Sequence, residues 1–180
     1  TDWGIPLVLM GDAPRGLEDI SYAVWDPSAV GVATKHLVEQ GHKRIAYLGV
    51  RDNRKMSITS RHMFRDAMEE AGLECSRQDL ILHEPGEAFD EPVRRLLERD
   101  DPPTALFALY DDIAISVLEM LRARGVRCPE DVSIATVGGS PLASAPGYEI
   151  TTVKAPVEEE GRVSAECLLL IIENPKRGPI

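Results

Sequence analysis

Pro129-Glu130-Asp131-Val132-Ser133-Ile134 decides the fold, through what stands immediately before and after it. Residues 113–124 carry apolar side chains at Ile113, Ala114, Val117, Leu118 and Leu121, the spacing of one helix face, and Gly125 can adopt the left-handed conformation that stops a helix. Residues 132–137 are rich in β-formers. A helix, a short polar turn and an apolar strand make half of a parallel α/β unit, in which ligands bind beyond the carboxyl ends of the strands. Functional residues are therefore sought at strand ends.

The same alternation extends in both directions. Residues 5–10 form a short apolar run that reads as a buried strand, and residues 23–25 a second, brief one. Asp26 and Pro27 then read as N-cap and first helical residue of a helix with Ala29, Val30, Ala33 and Leu37 inward, stopped by Gly41. A strand at 44–50 and a polar loop at 51–59 follow, and a helix from about Ser60 presents Phe64, Ala67, Met68 and Ala71. Residues 80–83 predict a strand, Asp90 opens a helix with Val93, Leu96 and Leu97 inward, and 104–109 predict the next strand. Beyond a loop at 138–147 lie a strand at 150–153 and a helix at 156–172. Strands alternating with helices of about a dozen residues signal βαβ units and a parallel sheet.

Composition narrows the function. The 180 residues, 43% hydrophobic and 28% charged, are ordinary for a folded globular chain. A net charge of -10 argues against this segment itself gripping a phosphate backbone. Cys75, Cys128 and Cys167 are odd in number and widely spaced, as expected of reduced thiols in a cytoplasmic protein. No stretch approaches the roughly 20 apolar residues that span a bilayer, so no membrane partner is expected. Both ends, Thr1-Asp2-Trp3 and the turn-like 174–180, look cut from a longer protein.

Catalytic constellations are not found. There is no G-x-G-x-x-G after a strand and no G-x-x-x-x-G-K-[ST], so no nucleotide cofactor is expected. Gly138-Gly139-Ser140-Pro141-Leu142 lacks the last Gly of a nucleophile elbow. His36, His42, His62 and His83 fall in no zinc spacing and read as polar helix-end and surface histidines, so no metal site is expected. Asp111-Asp112 ends a strand; Asp112 is the simpler N-cap for a helix at Ile113, which leaves Asp111 to face a cleft.

Four ordered segments resemble the lactose-repressor (LacI) family of transcription regulators. They are Asp26, Gly31 and Ala33 with the run from His36-Leu37 through Gly41-His42-Lys43-Arg44-Ile45-Ala46; then Phe64-Arg65-Asp66-Ala67-Met68; then Pro103-Thr104-Ala105 with Asp111 and Ala114; and finally Gly125, Pro129-Glu130-Asp131-Val132-Ser133 and Thr151-Thr152-Val153. The resemblance implies an α/β, periplasmic-binding-protein-like core of two parallel-sheet, Rossmann-like subdomains joined by crossover strands. Residues 1–42 and 154–180 would form a partial first subdomain, and 43–153 the second. It further implies a small-molecule effector, sugar-like or otherwise polar, bound between subdomains, homodimerisation, and operator DNA read by a helix-turn-helix missing from these residues. A periplasmic solute-binding protein of the same fold is the alternative, although the paired "PEDVS…TTV" segments resemble the regulators more.

Trp25, Asp26, Arg54, Phe89, Tyr110, Asp111, Gly138 and Ser140 fall at or just past strand ends and are the candidate effector contacts, with Ser60 where the family usually has an anchoring Arg. Rings such as Trp25, Phe89 and Tyr110 can stack on a ligand, and Asp26 and Asp111 can accept hydrogen bonds from hydroxyl groups. Each has a plainer reading: Asp26 as a cap, Trp25 and Phe89 as packing residues, Arg54 as a solvated cation. Ser60, Met63, Tyr110, Gly138 and Gly139 depart from the family pattern at positions that include its usual sugar anchors, which argues against a simple sugar effector.

Overall fold

Five parallel strands in the order β4-β3-β5-β6-β7 form the main sheet of the computed structural model, which describes residues 5–11, 21–23, 26–52, 54–84 and 86–174. The strands are β3 (Ile45–Val50), β4 (Leu80–His83), β5 (Ala105–Ala108), β6 (Ser133–Gly138) and β7 (Thr151–Lys154). Helices α1 (Ser28–Glu39), α2 (Lys55–Glu70), α3 (Asp90–Leu97) and α4 (Asp111–Ala123) connect and cover them. Ala46, Leu48, Leu106, Ala108 and Ile134 line one face of the sheet and pack under Val93 and Leu96 of α3 and Val117, Leu118 and Leu121 of α4. On the other face Tyr47 and Phe107 stack with Phe64 of α2, ring centroids 5.4 to 5.9 Å apart. Fully burying each such side chain contributes about 1.5–3 kcal/mol.

Tyr47 buries its hydroxyl with no hydrogen-bond partner among the described residues, and burial pushes its phenol pKa well up. The ring lies over Gly49, where an added Cβ would sit 2.4 Å from a ring carbon. At the amino end of the sheet His42 joins three strands, its Nδ1 2.9 Å from Thr104 Oγ1 and its Nε2 3.0 Å from Ser133 Oγ. Burial lowers its pKa, which keeps it neutral at pH 7.

The chain divides into two units, Thr1–Asp26 with Pro156–Ile180, and Pro27–Ala155. In the first, β1 (Val8–Met10) pairs in parallel with β2 (Ser21–Ala23), and α5 (Val157–Glu173) packs on both. These units break at 26/27 and 155/156, beside the subdomain bounds of 42/43 and 153/154 that the resemblance implies. Helix α1 falls in the second unit, where its buried Val30, Ala33 and Leu37 face α2 and β6.

Most predicted elements recur within one or two residues, and Gly125, at φ 73°, ends α4 as expected. Two local readings are corrected. Helix α2 begins at Lys55, inside the stretch read as loop, because its inward positions there are Ser57 and Ser60, which carry no apolar signal. Helix α1 has Pro27, not Asp26, at its N-cap, with no side-chain cap.

Candidate functional site

The strand order reverses direction between β3 and β5: the chain runs from β3 outward to β4, then returns to the far side of β3. At such a switch point the two flanking loops part, and a crevice opens at the carboxyl ends of the strands. A cleft of about 410 Å³ lies there, within the second unit, walled by Val50 and Arg54 after β3, His83 and Glu87 after β4, and Tyr110 and Asp112 after β5. Its volume is in the range of small-molecule sites.

Arg54 is held by Asp52: its backbone N donates to Oδ1 at 3.2 Å and its Nε to Oδ2 at 2.6 Å. Partial burial raises the Asp52 pKa, but hydrogen bonding by Ser57 and Arg54 outweighs it and leaves the carboxyl below its ordinary range. Arg54 makes the better-formed bonds, since Ser57 Oγ has no partner of good geometry. On the other side His83 stacks on Phe89, centroids 4.6 Å apart, and its Nδ1 lies 3.3 Å from Glu87 Oε2. Phe89 is a core residue that also lines the cleft.

Three of the sequence candidates, Arg54, Phe89 and Tyr110, meet in this cleft. Asp111 does not line it. The residue is only 8% exposed; Oδ2 accepts from the Ser140 backbone N at 2.6 Å and Oδ1 from Thr152 Oγ1 at 3.5 Å. The expected free acid is therefore a tie between the end of β5, the loop after β6 and β7. Asp112 is likewise not the N-cap of α4, which is Tyr110, and it stands in the first turn. Gly138 has φ 147°, and a Cβ there would fall 2.8 Å from Asp111 Oδ2, so a side chain at this place has no room while Asp111 keeps its position. Ser140 Oγ accepts from Ala143 N at 3.3 Å and so closes its own loop.

Ser60 is fully buried on α2, with Oγ unpartnered among the described residues. Trp25 lies outside the described residues, and Asp26, an exposed residue, belongs to the first unit. Sequence reasoning missed His83 and Glu87. His83 ends β4, so the strand-end rule applied to Trp25 and Tyr110 would have found it.

A larger hollow of about 520 Å³ opens at the amino ends of β6 and β7, lined by His36, His42, Arg122 and Tyr148 among others. Loops at that end of a parallel sheet do not carry the ligand site in open α/β folds, so the smaller cleft is the candidate. No group of three or more His, Cys, Asp or Glu among the described residues is placed to hold a metal ion. No helix among them is long and apolar enough to cross a membrane.

Residues 34–179 match the family model described as periplasmic binding protein-like domain. The chain belongs to that family. It is 33% identical over 180 residues to the HTH-type transcriptional repressor PurR of Haemophilus influenzae (strain PittEE), a match covering 97% of this chain and 52% of that protein. Identity is also 33%, over 184 residues, to the HTH-type transcriptional regulator CelR of Thermobifida fusca, with 98% and 53% covered. The solved transcriptional regulator CelR–cellobiose complex superposes with a TM-score of 0.83 at 30% identity, over 98% of this chain and 55% of that one. The chain spans about half the length of the curated relatives it matches. These relatives are transcriptional regulators, in agreement with the LacI resemblance carried by the four sequence segments, and the α/β parallel-sheet class is the one expected.

Proposed function

We infer that this chain is the ligand-sensing core of a LacI-type transcription regulator and carries no catalysis of its own. The observation that carries the reading is the cleft at the β3/β5 switch point, where Arg54, Tyr110 and Phe89 converge, in a chain whose relatives are named as regulators. A small effector bound there favours one conformation of the whole protein over another, and DNA reading heads outside these residues respond to that shift in population. The regulator names of the relatives favour this over solute transport.

Two further assignments belong to the proposal. The first unit is part of a larger subdomain, since Ile5, Leu7 and Met10 near β1 and Leu169 and Ile172 of α5 are exposed apolar residues that a fuller subdomain would cover. The regulator is a homodimer whose contact includes α4 and the loop after β6, where Ile115 and the exposed Leu142 line an open, shallow depression. The test is calorimetric titration with cellobiose, the ligand of the CelR complex, and a panel of other small polar compounds. At least one should bind saturably and lose about tenfold in affinity in Tyr110→Ala. Binding insensitive to both Tyr110→Ala and Arg54→Gln would remove the cleft from the function.

A further inference from the structure

The walls of the cleft carry an unequal set of charges. Glu84, Glu87 and Asp112 line it together with a single arginine, Arg54. The Arg54 guanidinium is already met by Asp52 at 2.6 Å, so it brings little free positive charge to a ligand. Ser60, fully buried on α2, does not line the cleft. Of the three carboxylates, Glu84 has a distant cation, Arg51, at 3.9 Å, and Glu87 faces His83 Nδ1, a buried nitrogen with no well-formed hydrogen bond. Asp112 accepts from the backbone N of Ile113 at 2.9 Å and makes no ion pair among the described residues.

Beside these carboxylates Tyr110 and Phe89 line the cleft. An aromatic ring together with a carboxylate is the chemistry that recognises an ammonium group, the ring quadrupole and the anion both attracting the cation. We propose that the cleft selects an amine-bearing, cationic effector over a neutral one of the same shape, with Glu87 and Asp112 facing the ammonium and Tyr110 lying against it. This rests on the cleft being the effector site.

The experiment compares two disaccharides with one skeleton, cellobiose and the β-1,4-linked glucosamine disaccharide, by calorimetry at about pH 6.5 in low salt, where surface charges are least screened. The amino disaccharide should bind about tenfold more tightly, and Glu87→Gln and Asp112→Asn should each reduce that preference, read as the ratio of the two affinities in the same variant, by roughly threefold or more. Raising the salt should narrow the preference, and thermal melts check that both variants fold. Equal affinity for the two sugars, or a preference that survives both substitutions, overturns the charge selection and leaves the effector cleft standing. Binding of neither sugar, with a different and uncharged compound bound in a Tyr110-dependent way, also overturns it. Loss of every interaction with the cleft would overturn both readings together.

Discussion

Replacing Asp111 tests whether a strand-end carboxylate in this protein meets the ligand or holds the scaffold. With Oδ2 2.6 Å from the Ser140 N–H and Oδ1 3.5 Å from Thr152 Oγ1, the side chain is a buried acceptor for two groups. In Asp111→Ala the Ser140 donor is left without its partner, which costs about 1–3 kcal/mol. The helix-dipole contribution of an acid in the first turn of α4, about 0.3–1 kcal/mol, is lost as well. Together these come to about 1.3–4 kcal/mol. In Asp111→Asn the amide oxygen still accepts from Ser140 and the amide NH₂ can donate to Thr152, so only the charge assistance goes, about 1 kcal/mol. Urea unfolding followed by circular dichroism at 222 nm should therefore rank wild type, Asn and Ala in that order, and in a thermal melt the Ala variant should unfold roughly 3–16 °C lower. An Asp111→Ala protein within about 0.5 kcal/mol of wild type, combined with a large loss of effector affinity, would refute the tie and restore the ligand role.

Other outcomes follow from the same geometry. Gly138→Ala should destabilise by about 1–3 kcal/mol through the clash with Asp111 and the positive φ, and the penalty should shrink in an Asp111→Ala background, which a double-mutant cycle in urea measures. His42, whose folded pKa is lowered by burial, binds a proton less readily when folded than when unfolded. Its contribution to stability is therefore present above about pH 6.5 and lost on acidification below that value, and an NMR titration should place its midpoint below the ordinary 6.5. Leu142→Asp should weaken self-association of the whole regulator by about tenfold or more in sedimentation measurements, because it puts a charge into the proposed dimer contact. Tyr47→Phe should leave stability unchanged or raise it by about 1 kcal/mol, as the removed hydroxyl has no partner among the described residues.

The fold was legible wherever burial follows a simple period. The runs 44–50, 80–83 and 104–109 are apolar because parallel strands are covered on both faces, and Leu37, Phe64, Val93 and Leu118 sit at helical spacing because each helix buries a single stripe. The start of α2 was illegible because Ser57 and Ser60 occupy its inward positions. Of the candidate site, strand-end logic placed Arg54, Phe89 and Tyr110. It failed for Asp111 because a carboxylate at a strand end has two uses, and only the position of the Ser140 N–H, 29 residues away, distinguishes them. The same logic reaches His83, the last residue of β4, which was read instead for metal-ligand spacing, a signal that a single histidine does not carry. The packing of α1 was illegible for a similar reason: which strands and helices it covers depends on partners that lie far along the chain.

The Tyr47 ring over Gly49 gives these two positions an order in which they can change. A side chain at 49 would collide with the ring while Tyr47 stands, whereas a small residue at 47 would leave a void that only a larger residue at 49 could partly fill. Neither first step is free: enlarging 49 first meets a clash, and shrinking 47 first removes a buried ring that also stacks on Phe64 and Phe107. Lineages that keep one member of the pair should therefore keep the other. The route between a Tyr–Gly and a small–large arrangement on β3 runs through a less stable protein, open only to sequences that already hold stability in reserve.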